Sequence, residues 1–97
     1  MLDEPRVLVR GKADARGLVK YAYHTAAEVT DFVIMLDPST RRLTLGGTVR
    51  SQTAWLASRP LVFVVMTKGG ALRWPIDALD VTGGQVRAQL GALLERE

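Results

Sequence analysis

The chain has no cysteine, one histidine and only 6% aromatic residues in a length of 97. Without cysteine there can be no disulfides, thiolate nucleophiles, iron–sulfur clusters or cysteine zinc sites. The solitary His24 leaves the common transition-metal sites without a second imidazole. No segment approaches the ~20 continuous apolar residues that a membrane span requires. The start, Met1-Leu2-Asp3-Glu4-Pro5, is acidic where a secretory leader would be basic. These absences predict a cytoplasmic protein that is not membrane-bound and needs neither cofactor nor metal.

The composition is 47% hydrophobic and 24% charged, as in an ordinary globular protein. The length fits a single domain spanning 1–97. The net charge of +3 conceals an asymmetry. Between Pro5 and Trp74 there are eleven basic residues and four acids, a net of +7, and the two ends carry −2 each. A basic body favours an acidic partner, whether a protein surface or nucleic acid.

Arg6-Val-Leu-Val-Arg10 is a short β-type run closed by Gly11. Over 14–29, Ala15, Leu18, Val19, Ala22, Tyr23, Ala26 and Val29 fall on one face at helical spacing, with Asp14 placed to cap the start. The spacing predicts a helix there, although Gly17 weakens it and Val19, Tyr21 and Tyr23 also alternate as in a strand. Asp31–Leu36 reads as a buried strand, Asp37-Pro38-Ser39-Thr40 as a turn, and Arg42–Leu45 as the return strand, with Gly46-Gly47 marking a bulge or bend. The segment 51–58, with Trp55 and Leu56, fits a loop or one to two helical turns. Leu61-Val-Phe-Val-Val-Met66 predicts a central strand buried on both faces. A turn at Lys68–Ala71 then leads to alternating Leu72, Trp74 and Ile76, with Pro75 implying an edge or bulge. In 85–96, Val86, Leu90, Leu93 and Leu94 share a helical face; a strand over 85–90 paired across Gly83-Gly84 is the competitor.

The expected architecture is α+β: an antiparallel or mixed sheet of about four to five strands with two helices packed on it. If both helices fail, the same sequence makes a small all-β barrel or sandwich. There is no internal repeat.

No constellation points to catalysis. The glycine pairs 46–47, 69–70 and 83–84 lack the following Lys-Ser/Thr of a phosphate loop and read as turns. Lys20, His24 and Glu28 would form an ion-pair ladder on a helix, without a nucleophile. Asp77 and Asp80 fall short of a divalent cation shell. Asp31 and Asp37 look like strand boundaries. A subunit-interface site is the remaining route to an enzyme.

The sequence therefore predicts a non-catalytic binding, adaptor or inhibitor protein that meets an acidic protein surface. The candidate contacts are Arg41, Arg42 and Arg50 on the hairpin, with Arg6, Arg10, Lys12 and Lys20 as a second group. The alternative is a nucleic-acid binder in which Tyr21, Trp55 and Trp74 stack on bases. A homodimer is the base-rate expectation for assembly.

Overall fold

A computed structural model of the protein describes residues 6–21, 24–50 and 61–94, and every regular element in them is a strand. In chain order these are β1 (Arg6–Arg10), β2 (Arg16–Tyr21), β3 (His24–Asp37), β4 (Arg42–Val49), β5 (Leu61–Thr67), β6 (Gly70–Thr82) and β7 (Gln85–Leu90). All pairings are antiparallel. β2 pairs with β3 and β5, β5 with β6, β6 with β7 and β7 with β4; the β3–β4 pairing closes the ring. The result is a six-stranded barrel with β1 as an extra strand. The α+β expectation is overturned, and the all-β barrel alternative describes the chain.

Both predicted helices are strands. The described part of 14–29 falls mainly on β2 and the first part of β3, where Val19 pairs with Ala27 and both point inward. The helical face had grouped Leu18 with Val19, but on β2 they lie on opposite faces: Val19 is buried in the core and Leu18 is half-buried outside. In β7, burial alternates strictly, with Val86, Ala88 and Leu90 inside. Leu93 and Leu94, predicted to complete a buried helical face, are 51% and 42% exposed. The local cause is Gly83-Gly84, whose φ angles of 60° and 79° make the two-residue turn that folds β7 back on β6.

β3 explains how the barrel curves. β4 occupies one of its edges, so β1 and β2 share the other, end to end: Arg10 pairs with Val33 and Gly17 with Val29. The Gly11 N–H bridges the gap by donating to the Phe32 carbonyl at 2.7 Å. At the junction β3 carries a bulge between Thr30 and Val33, with Asp31 at φ 50°. Aspartate tolerates this left-handed conformation better than most residues. The extra residue shifts the inward positions from Ala27 and Val29 to Phe32 and Ile34. It also presses the chain towards β4, where a Cβ on Gly47 would lie 2.7 Å from Val29 Cγ1 and 3.1 Å from Phe32 Cβ. Gly47 is thus a close-approach glycine inside the barrel.

The barrel is two three-stranded meanders, β2–β3–β4 and β5–β6–β7, each with a long central strand of 14 or 13 residues. Each central strand changes its main partner midway. β6 pairs with β5 through Pro75 and with β7 from Ile76 onward, with a bulge between Ile76 and Ala78. Pro75 sits at this bend, and its carbonyl accepts the Gly91 N–H at 2.7 Å. No repeat is visible in the sequence because the likeness lies in pairing geometry, not in residue identity.

The interior is filled by aliphatic side chains around Phe32, Phe63 and Trp74. No polar side chain among the described residues is buried.

Candidate functional site

The predicted contacts are not brought to one place. Arg41 lies in the β3–β4 turn, exposed, with φ 59°. Arg42 opens β4, and its Nη1 donates to Gln89 Oε1 at 3.3 Å. Arg50 lies just past the other end of β4 and makes a 4.0 Å ion pair with Glu28. An eight-residue strand separates Arg42 from Arg50 by about 25 Å. Arg6 and Arg10 lie on β1, and Lys12 lies in the exposed segment between β1 and β2. Lys20 lies on β2.

Of the aromatic candidates, Trp74 is a core residue, 4% exposed and 6.4 Å from Phe63 between ring centroids. Burial removes it as a stacking platform. Tyr21 ends β2, its backbone paired with His24 and Leu61. Trp55 and the rest of 51–58 lie outside the described residues. The Lys20–His24–Glu28 ladder is lost with its helix: Lys20 and His24 fall on successive strands, and Glu28 is held by Arg50. On β6, Asp77 is the extra residue of the bulge and Asp80 lies beyond it, and no group of three or more potential metal ligands occurs among the described residues.

What the fold does assemble is a surface that the residue spacing had not grouped. Strand alternation turns Arg16, Leu18 and Lys20 of β2 outward, since Gly17 and Val19 face in. On β5, Leu61, Phe63 and Val65 line the core, leaving Val62, Val64 and Met66 outside. Register places three rows across β2, β5 and β6: Arg16–Met66–Ala71, Leu18–Val64–Arg73 and Lys20–Val62–Pro75. Side chains directly opposite on paired strands are about 5 Å apart, so each row is in contact range. Arg16 and Lys20 stand about 13 Å apart along β2, with Arg73 across from the row between them.

These nine positions hold three cations and no carboxylate. Glu28, the carboxylate next to Leu18 on β3, is engaged by Arg50. Lys68 extends the positive charge at the β5–β6 turn. The apolar part is unusual for an outer face: Val64 is 3% exposed without belonging to the core cluster, and Met66 is 42% exposed. The prediction that β5 is buried on both faces thus fits Val64 and fails at Met66.

Sequence reasoning named Lys20 but missed Arg16, Lys68 and Arg73 as members of this surface. The available signal was the unbroken apolar run of β5, which puts apolar residues on the outer face wherever its neighbours carry cations. No protein-family model, no curated protein and no solved structure matches the chain.

Proposed function

We propose that the protein is a non-catalytic binding module that engages an acidic protein segment through the outer face of β2, β5 and β6. The observation that carries this reading is the segregation just described: Arg16, Lys20 and Arg73 surround Val62, Val64 and Met66 with no carboxylate among them. Cations steer and orient an acidic partner, while burial of the exposed Met66 and the half-buried Val62 supplies affinity beside Val64, which is already buried in the chain itself. A centre of valine and methionine side chains flanked by cations suits a peptide with alternating acidic and apolar side chains. Nucleic acid would call for stacking rings, and of its three candidates Trp74 is buried inside the barrel, so that reading rests on Tyr21 and Trp55 alone.

The test is fluorescence anisotropy with a labelled peptide of alternating Glu and Leu, alongside single- and double-stranded DNA and RNA, at low and moderate salt. The peptide should bind, and the double substitution Arg16→Glu with Lys20→Glu should weaken it about tenfold or more. The pair Arg42→Glu with Arg50→Glu should change it little. Tight nucleic-acid binding with a steep salt dependence would replace the proposal with the nucleic-acid reading. Equal losses from both charge reversals would show that net charge, and not this face, governs association.

A further inference from the structure

The opposite outer face, formed by β3, β4, β7 and the second half of β6, has a different character. Two adjoining cavities lie on it, about 550 Å³ and 480 Å³ in volume, and both are lined by Gly46 and Arg87. Volumes of about 300–1,000 Å³ are typical of small-molecule sites.

Gly46 has no internal reason to be glycine. Its φ is not positive, and a Cβ placed on it would meet nothing within 4 Å among the described residues. Its neighbour Gly47 is forced by Val29 and Phe32. Glycine inside a strand is destabilising relative to alanine, and in that position it often marks where another molecule approaches the backbone. Here the missing side chain leaves the floor of both cavities open.

Arg87 stands directly across from Gly46 on β7. It is exposed, and among the described residues its guanidinium has no ion-pair partner, although Asp80 is its register neighbour on β6. Met35, Ala78 and Leu79 supply an apolar wall in the larger cavity. Asp80 lines the larger cavity and Asp31 the smaller, so a second anionic group on a ligand would meet repulsion at either end.

We infer that the trough over Gly46 binds a small organic monoanion, its carboxylate on Arg87 and its apolar body over Gly46 against Met35 and Ala78. This site is separate from the basic face and does not depend on it. A carboxylate matches the planar fork of an arginine. An aliphatic or an aromatic acid presents this same chemistry, and the two probes below distinguish them.

The experiment is an amide-resolved NMR titration of the whole 97-residue chain with sodium octanoate, with sodium 1-naphthoate and with neutral octanol. Saturable shifts are expected at Thr44, Gly46 and Arg87 with at least one of the acids. Arg87→Gln should weaken that acid about tenfold while leaving octanol little changed. Gly46→Val should abolish binding of the acid and the alcohol in a chain that still folds, because a Cβ there meets nothing within 4 Å among the described residues. Should valine impair folding, Gly46→Ala provides the same test with a single methyl group. Absence of saturable shifts up to about 10 mM of both acids would overturn the inference. So would unchanged affinity in a folded Gly46 variant, or equal weakening of acid and alcohol by Arg87→Gln.

Discussion

Phe32 meets Phe63 edge to face, ring centroids 5.4 Å apart and planes at 76°. Gly17 of β2 is the floor beneath both rings: a Cβ there would come within 2.9 Å of Phe32 Cδ2 and Cε2 and of Phe63 Cζ. The two rings are rigid and fully enclosed, so neither can give way cheaply. Gly17→Ala should therefore destabilise the barrel by about 1–3 kcal/mol through overpacking. Each kcal/mol corresponds to a fall of about 4–8 °C in melting temperature at this chain length. Urea and thermal unfolding of the variant check this, and unchanged stability would mean that the rings can shift apart freely.

The same glycine shows why much of the fold was illegible in the sequence. Gly17 counts against a helix locally, but its reason for being glycine is a contact with Phe32 and Phe63, distant along the chain. The apolar residues of 14–29 satisfied two periods at once, and local spacing could not choose between them. The choice came from pairing with β5, since Val19 lies between Ala27 and Phe63 in register. In 85–90 the deciding residue was Ala88, inside the barrel and absent from the helical face. At Asp31 a strand boundary was expected, but β3 runs straight through it; the bulge changes the inward parity, and period-2 reasoning reads that as an end. Strand β5 was legible because six consecutive apolar residues leave few alternatives. The basic face was only partly legible. Its cations come from β2, β6 and the β5–β6 turn, and only register, fixed by the closed barrel, sets them around Val64.

The Asp37 carboxylate provides a pH prediction. It accepts hydrogen bonds from the Ser39 hydroxyl at 2.7 Å and the Ser39 N–H at 3.0 Å. Bonding to Ser39, first through its hydroxyl and then its backbone, holds the carboxyl below the usual carboxylate range. A group whose folded pKa is depressed stabilises the folded state above its unfolded pKa, and that stability is lost as pH falls through the folded value. Acidification below about pH 4 should therefore loosen the β3–β4 turn. An NMR titration should show Ser39 and Arg41 amide shifts following Asp37 with a midpoint below that of a model peptide. Asp37→Asn should remove the transition, and a midpoint at the unperturbed value would contradict the bonding.

Arg41 closes that same turn with φ 59°, and its N–H donates to the Asp37 carbonyl at 2.6 Å. An L-residue in the left-handed region costs roughly 1–2 kcal/mol, a penalty that glycine escapes. Glycine also gives the unfolded chain more freedom, which offsets part of the gain. Arg41→Gly should leave stability unchanged or raise it by up to about 1 kcal/mol. Because Arg41 lies off the β2–β5–β6 face, the variant should also bind the Glu-Leu peptide like the parent. Chemical denaturation and anisotropy on one protein sample measure both, and a clear loss of peptide affinity would restore Arg41 as a contact.

β1 carries the last prediction. It pairs with β3 on one edge, and among the described residues nothing pairs with the other. Val7 and Leu8 on this strand are 43% and 46% exposed, a composition that invites strand addition. Two features oppose it. A register shift between Val7 and Val9 distorts the edge, and arginine stands at both ends of the strand. A second copy pairing antiparallel about Leu8 would set Arg6 opposite Arg10 twice, and like charges directly across a strand pair are destabilising. The arginines therefore act against self-association through β1, whatever assembly the rest of the surface supports. Replacing both with threonine, a neutral strand former, should shift the sedimentation-velocity distribution towards larger species at concentrations where the parent is unchanged. The glycine substitutions above leave this edge alone and should not cause that shift. An identical distribution for the Arg6→Thr, Arg10→Thr variant would show that the bulge alone protects the edge.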